Sequence, residues 1–292
     1  MALLFSDIHA HVYKYKYPSK DGKMLFINME ELIRTHDALG INKAVLLPIV
    51  SPEIYVPQSV GEIIDFANES NGRFIPFCNV DPRVLTNTSD APIGNLLDYY
   101  RNLGCKGIGE VMPNLPWSDL RLQNLLYHVE QSCFPMIFDM TGKKNTGYGI
   151  YDDASLPMLE ACLAKFKNLI FIGHGPAFWS EISALKNKED RTGYPDYEVF
   201  NEGRMVMLMR AYPNLYCDLS ANSGYNALNR DKEYAVKFLN EFQDRILFGT
   251  DICYEGQFFN TMNLLLEFNR QNKISNLVLK KLAFSNFDRL IK

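Results

Sequence analysis

Short apolar runs alternate with helix-period segments eight times along this chain, and that alternation constrains the fold more than any other feature of the sequence. The runs lie within Leu3–His11, Lys43–Ile49, Phe74–Val80, Cys105–Met112, Pro135–Met140, Leu169–His174, Leu215–Leu219 and Ile246–Thr250. Helical patterns fall between them at Met29–Leu39, Val60–Asn68, Gly94–Leu103, Asp119–Gln131, Leu156–Phe166, Gly203–Tyr212 and Tyr234–Phe242, and two more helical segments follow the last run. The runs are nearly continuous in apolar residues, the pattern of strands buried on both faces in a parallel sheet. Eight strand–helix units in 292 residues match the roughly thirty-odd residues per unit of a closed eight-stranded barrel. The fold class read from the sequence is therefore α/β, a single (β/α)8 TIM barrel domain over residues 1–292. A doubly wound open sheet is the alternative, but no Gly-rich phosphate loop favours it.

In such a barrel the C-terminal ends of the strands meet at one mouth. The runs here end in or beside His9 and His11, Glu110, Asp139, His174 and Asp251. Side chains at i and i+2 of an extended chain point to the same side, so His9 and His11 project together. Taken singly, each of the others has an ordinary reading. His174 is a satisfied buried histidine, Glu110 a loop carboxylate and Asp251 a helix N-cap. Taken together at strand ends, they form an imidazole–carboxylate set that suits zinc, manganese or iron(II) better than calcium or magnesium.

Other features bound the function. A net charge of −4 argues against a general nucleic-acid surface. No apolar run approaches the roughly 20 residues that span a bilayer, and the first run lacks the basic flank and cleavage site of a signal peptide. The six cysteines are scattered without a Cys-x-x-Cys, which reads as packed thiols in a reducing cytoplasm. Cys253 stands apart, two positions after Asp251. A polar, tyrosine-rich loop is expected from Tyr13 to Lys23, and His36 is expected to cap or snorkel near the C-terminus of its helix. Trp117, Phe178, Trp179 and Tyr254 are candidates to line a small-molecule pocket.

The motifs resemble those of the amidohydrolase superfamily: His-x-His after strand one, Gly-Glu after strand four, Gly-His-Gly after strand six and Gly-Thr-Asp after strand eight. They are most similar to the amidohydrolase-related branch of metal-dependent TIM-barrel hydrolases, which also holds aminocarboxymuconate-semialdehyde decarboxylase and related lyases and lactonases. The likeness extends to Val80-Asp81-Pro82, to Tyr212-Pro213-Asn214-Leu215-Tyr216-Cys217-Asp218-Leu219-Ser220 and to Ser285-Asn286-Phe287-Asp288-Arg289-Leu290. The resemblance implies that His9 and His11 bind a divalent metal, zinc in the first place, with manganese or iron as alternatives. It makes Asp251 a ligand or the base beside the metal, His174 a second-metal ligand or a substrate polariser, and Glu110 a metal ligand as in some members. The departure is at strand five, where the family usually carries a histidine and this chain has Asp139.

The function implied is metal-dependent hydrolysis of a small-molecule amide, ester or lactone. In it the ion acidifies a water towards about pKa 7, Asp251 takes up and returns a proton, and His174 stabilises the oxyanion. The alternatives are a non-oxidative decarboxylase, which needs a cation for its substrate carboxylate, and a barrel that binds a ligand without catalysis. Arg83, Lys143, Lys144, Arg191 and Arg204 lie in or near top-face loops and are the candidate cations. The partner expected is a small-molecule substrate, and barrels of this branch are often homodimers.

Overall fold

The computed structural model of the protein describes residues 3–18, 22–54, 56–257 and 260–291. Eight parallel strands carry the architecture: β1 (Phe5–Ala10), β2 (Ile41–Leu46), β3 (Phe74–Pro76), β4 (Ile108–Val111), β5 (Met136–Thr141), β6 (Phe171–His174), β7 (Leu215–Asp218) and β8 (Ile246–Leu247). Two continuous ladders run β1–β2–β3 and β4–β5–β6–β7–β8. Isolated bridges join them into a ring. Cys78 pairs with Ile108 between β3 and β4, and Ala10 pairs with Ile252 between β1 and the segment after β8. The Ile8 N–H donates to Phe248 O at 2.9 Å across that closure. The expected barrel is present, with several strands shorter than the apolar runs that announced them. Beyond β3, which ends at Pro76, single hydrogen bonds continue the pairing: Phe77 N–H donates to Leu46 O at 3.1 Å and Cys78 N–H to Gly107 O at 3.0 Å.

The inside of the ring is filled by one side chain or more from most strands: Ile8, Val45, Leu47, Phe77, Ile137, Ile172 and Leu247, with Phe287 and Ile291 closing the bottom. Phe77 fits because β4 is preceded by Gly107, where a Cβ would lie 2.4 Å from the Phe77 ring. The outward faces, including Phe138 and Phe171, pack under the surrounding helices. Helices absent from the sequence reading occur at Pro176–Ser180 and Ala221–Asn229. In the Tyr13–Lys23 loop, Tyr17–Pro18 pairs antiparallel with Met24–Leu25, while residues 19–21 lie outside the described residues.

Two expectations need correction. His36 neither caps nor snorkels. It is fully buried, and its helix, Met29–Leu39, is closed by Gly40 at φ 72°, whose N–H donates to Asp37 O and His36 O. Trp117, Phe178 and Trp179 line no pocket, being buried in the outer apolar layer. Trp117 and Phe178 pack edge-on against Phe138, with ring centroids 4.9 Å and 5.8 Å away. Tyr254 alone of the four is half-exposed, on a cavity of about 380 Å³ beside Asp251.

Candidate active site

The period of two along a strand carries the inward face of the barrel directly to its mouth. From inward-facing Ile137 it leads to Asp139, from Ile172 to His174 and from Tyr216 to Asp218. Strand β1 departs from this rule. Asp7 pairs with Ala44 and Ala10 with Leu46, so β1 uses one more residue than β2 over that stretch, a β-bulge. The bulge turns His9 inward next to Ile8, and His11 follows on the same side.

Four of the sequence-derived residues converge closely. His9 Nε2 lies 3.1 Å from His11 Nε2, 3.5 Å from Glu110 Oε2 and 3.5 Å from Asp251 Oδ1. His11 Nε2 lies 3.7 Å from Glu110 Oε2 and 3.3 Å from Asp251 Oδ1. A tetrahedral ion with bonds of about 2.0–2.1 Å to nitrogen and oxygen has ligand–ligand edges of about 3.3–3.4 Å. The three separations among His9, His11 and Asp251, 3.1–3.5 Å, bracket that value, so these three atoms could hold one such ion, with Glu110 beside both imidazoles and also grouped with Asp139 and His174. The His9, His11 and Glu110 side chains are almost completely buried, while Asp251 is 22% exposed, so the cage opens to solvent on the Asp251 side.

Tautomers fit the same reading. His11 Nδ1 lies 3.0 Å from Leu47 O. That carbonyl can only accept, so Nδ1 carries the proton and Nε2 presents a lone pair. His9 Nδ1 lies 2.7 Å from Asp218 Oδ2, the carboxylate–histidine arrangement that orients metal-binding imidazoles. Two lone pairs 3.1 Å apart beside two carboxylates draw positive charge between them. Burial lowers the His9 imidazole, but Glu110, Asp251 and then Asp218 outweigh it and raise it well above its usual value. Burial raises Glu110 and Asp251, and the charge of His9 brings both below the usual carboxylate range.

The remaining groups form a second tier. His174 Nε2 faces Glu110 Oε1 at 3.8 Å, Asp139 Oδ2 at 4.0 Å and Asp251 Oδ2 at 4.0 Å. Its Nδ1 lies 3.0 Å from Ser220 Oγ and 3.2 Å from Asp218 Oδ2. Burial and the charge of His9 lower the His174 imidazole, the bond to Asp218 raises it, and it comes to rest at about 9. Burial and the neighbouring Glu110 charge push Asp139 well above the carboxylate range. Asp139 sits under Gly149 and Gly175, whose added Cβ atoms would lie 2.5 Å and 2.9 Å from its oxygens. Cys253 Sγ lies 3.6 Å from Asp251 Oδ1.

The sequence reading assigned no role to Asp218 and Ser220. Asp218 Oδ2 accepts from Ser220 Oγ at 2.7 Å, and the Trp179 Nε1–H donates to Asp218 O at 3.0 Å. The hydrogen bonds from His174 and His9 hold the carboxylate well below the usual range against its burial. The signal that points to Asp218 is its place two residues beyond Tyr216, the same step that leads from Ile172 to His174.

The candidate cations stand apart from this centre. Arg83 is paired with Asp81 and Glu53, and Arg204 with Glu160. Arg191 is buried, with Nε 2.9 Å from Glu181 Oε1 and Nη1 donating to Asp152 O. Lys143 and Lys144 are exposed in the loop after β5, with the Lys144 ammonium over the Tyr151 ring.

No protein-family model and no curated protein matches the chain. Solved structures do. An amidohydrolase from Burkholderia multivorans with bound HEPES superposes with a TM-score of 0.62 at 12% identity, covering 99% of each chain. A probable 2-pyrone-4,6-dicarboxylic acid hydrolase from Acinetobacter baumannii with citric acid bound gives 0.60 at 14% identity, again over 99% of each chain. The 2,6-dihydroxybenzoate decarboxylase from Rhizobium gives 0.58 at 14%, with the same coverage. At these identities the likeness is one of fold, and together with the closed ring of eight strands it establishes the chain as a (β/α)8 barrel.

Proposed function

We propose that the protein is a metal-dependent hydrolase of the amidohydrolase superfamily, acting on an amide, ester or lactone of a small molecule. The observation that carries this reading is the 3.1–3.5 Å spacing of the His9, His11 and Asp251 donor atoms, with Glu110 3.5–3.7 Å from both imidazoles and Asp251 on the open side. His9 and His11 would hold the ion through Nε2 and Asp251 through one carboxylate oxygen, with Glu110 beside both imidazoles as a further donor, which leaves a position for a water. Zinc suits this donor set, and manganese or iron(II) follow. When bound, the ion supplies Lewis acidity, polarising a carbonyl and bringing a water towards pKa about 7.

The chain's own groups do the rest. Asp251, the more open of the two carboxylates, is placed to accept a proton from the attacking water and return it to the leaving group. His174, raised above its usual value by Asp218, directs Nε2 towards Glu110, Asp139 and Asp251, where it is placed to donate to the developing oxyanion. Asp139, its carboxyl pushed up by burial and the Glu110 charge, faces His174 on the same side. Asp218 fixes the orientation of His9 and His174 at once.

Decarboxylation is the second reading: three of the five candidate cations, Arg83, Arg191 and Arg204, are engaged by carboxylates, which leaves Lys143 and Lys144 in the loop after β5 to meet a substrate carboxylate. The near-complete donor set also favours catalysis over ligand binding alone. Among the described residues no helix is long and apolar enough to cross a membrane. The six cysteines are all free, which supports a cytoplasmic setting.

Elemental analysis of the purified protein, with His9→Ala and Asp251→Ala alongside, tests the proposal. The expected result is about one equivalent of zinc, manganese or iron in the wild type, lost in both variants, and turnover of an amide, ester or lactone by the loaded protein. A wild type that stays empty after incubation with each of the three metals overturns it.

A further inference from the structure

The bulge that turns His9 inward leaves its backbone N–H without a partner in the β1–β2 ladder. Asp7, buried two residues earlier, supplies that partner: its Oδ1 accepts from His9 N at 2.9 Å. The same carboxylate reaches across the barrel closure. Oδ1 also accepts from Thr250 N at 2.9 Å, and Oδ2 from Thr250 Oγ1 at 2.5 Å. Thr250 immediately precedes Asp251, whose own N–H donates to His9 O at 2.7 Å. Asp251 has φ 53°, a left-handed conformation that a non-glycine residue keeps only when its surroundings impose it. One carboxylate thus ties together the two backbone segments that present His9 and Asp251, and it touches neither side chain.

Behind Asp7 stands His36, on the inner face of helix Met29–Leu39. It is fully buried, its Nε2 lies 3.3 Å from Asp7 Oδ2, and neither ring nitrogen makes a hydrogen bond. Burying an imidazole with unsatisfied nitrogens is costly. Apolar packing alone would favour leucine or phenylalanine at that position, and the placement beside Oδ2 gives the imidazole a role towards the carboxylate.

We propose that Asp7, backed by His36, is a positioning residue that sets the distance between His9 and Asp251, and through it the coordination geometry and affinity of the metal cage. The inference rests on the metal reading above. It follows that loss of the Asp7 carboxylate moves ligands that Asp7 does not contact.

Titration of metal-free full-length protein with Co2+, followed by visible absorption, tests this in wild type, Asp7→Asn, His36→Leu and Thr250→Val, with thermal unfolding of each metal-free form measured in parallel. In Asp7→Asn the Co2+ affinity is expected to fall by about 10- to 100-fold, as for other groups that orient metal ligands. Its visible band is expected to change in position and intensity. The same change, smaller, is expected in the other two variants. If Asp7→Asn does not fold, Thr250→Val carries the test, since it removes one of the three donors at nearly constant shape. Variants that bind Co2+ with wild-type affinity and spectrum overturn the inference, even where their thermal stability falls, because a purely structural role lowers stability alone. Failure of the wild type itself to bind Co2+ removes the metal reading and this inference with it. A normal wild type beside unchanged variants removes the inference alone.

Discussion

Oδ2 of Asp218 lies 2.7 Å from Nδ1 of His9 and 3.2 Å from Nδ1 of His174, so one carboxylate oxygen orients both a candidate metal ligand and a candidate catalytic imidazole. Ser220 Oγ completes the junction, 3.3 Å from His9 Nδ1 and 3.0 Å from His174 Nδ1. Replacing Asp218 with Asn keeps the shape but removes the charge that fixes both rings. Asp218→Asn is expected to weaken metal binding by about 10- to 100-fold, and to leave turnover depressed even at saturating metal because His174 loses its orientation. A metal titration and kcat at saturating metal separate the two effects. Recovery of full kcat by metal alone would remove His174 from the reading.

Glu110 and Asp139 face His174 from neighbouring strands but have opposite electrostatics. The Glu110 carboxyl is held below its usual range and that of Asp139 well above it. A ligand must be deprotonated to bind a metal, and Glu110 also stands 3.5 Å and 3.7 Å from the His9 and His11 Nε2 atoms, so Glu110 suits the cage better than Asp139. Glu110→Gln is therefore expected to reduce bound metal substantially, and Asp139→Asn to keep the full equivalent while lowering turnover. Metal content of the two purified variants decides between them. Loss of metal in Asp139→Asn would make the strand-five aspartate a ligand.

The ring of strands was legible in the sequence because apolar runs buried on both faces leave a continuous signature, and the strand ends carried their polar residues openly. The parity from Ile137 to Asp139 and from Ile172 to His174 needs nothing beyond the strand period. What the chain concealed depends on contacts distant in sequence. Nothing near Asp7 reveals that it bonds Thr250, 243 residues later. The bulge at His9 exists only in relation to the register of β2. Trp117, Phe178 and Trp179 have the composition of pocket residues, yet in the fold they fill the layer between barrel and helices. Arg191 lies in a charged, glycine-broken stretch that reads as solvated, and only the buried Glu181 explains why it points inward.

Gly149 holds the loop after β5 against the mouth. It has φ 101°, and a Cβ there would lie 2.5 Å from Asp139 Oδ1 and 3.0 Å from Thr141 N. Its N–H donates to Met112 O at 2.7 Å, so the segment cannot simply move away. Gly149→Ala is expected to destabilise the protein by about 1–3 kcal/mol from the left-handed backbone alone and to displace Asp139. Urea denaturation checks the first effect, and turnover at unchanged metal content checks the second. An unchanged denaturation midpoint would show that the loop shifts freely.

Away from the mouth, Glu181 and Asp152 surround Arg191 in the interior. Burial raises Glu181 to about 7 in spite of Arg191, and raises Asp152 to about 6 in spite of the backbone N–H groups of Leu159, Met158 and Asp153. Both folded-state values exceed the unfolded ones of about 4.3 and 3.9, so between those limits the folded protein binds more protons than the unfolded chain. The contribution to stability is fully present below about pH 4 and is lost as the pH rises through about 6 to 7. The unfolding free energy from urea titrations at a series of pH values is expected to carry this downward component across that window. Glu181→Gln, neutral at every pH, is expected to flatten it, and to lower stability above about pH 7, where Arg191 loses its ionised partner. A variant with the same pH slope as wild type would show that Glu181 is ionised throughout the window and that the buried pair with Arg191 persists to low pH.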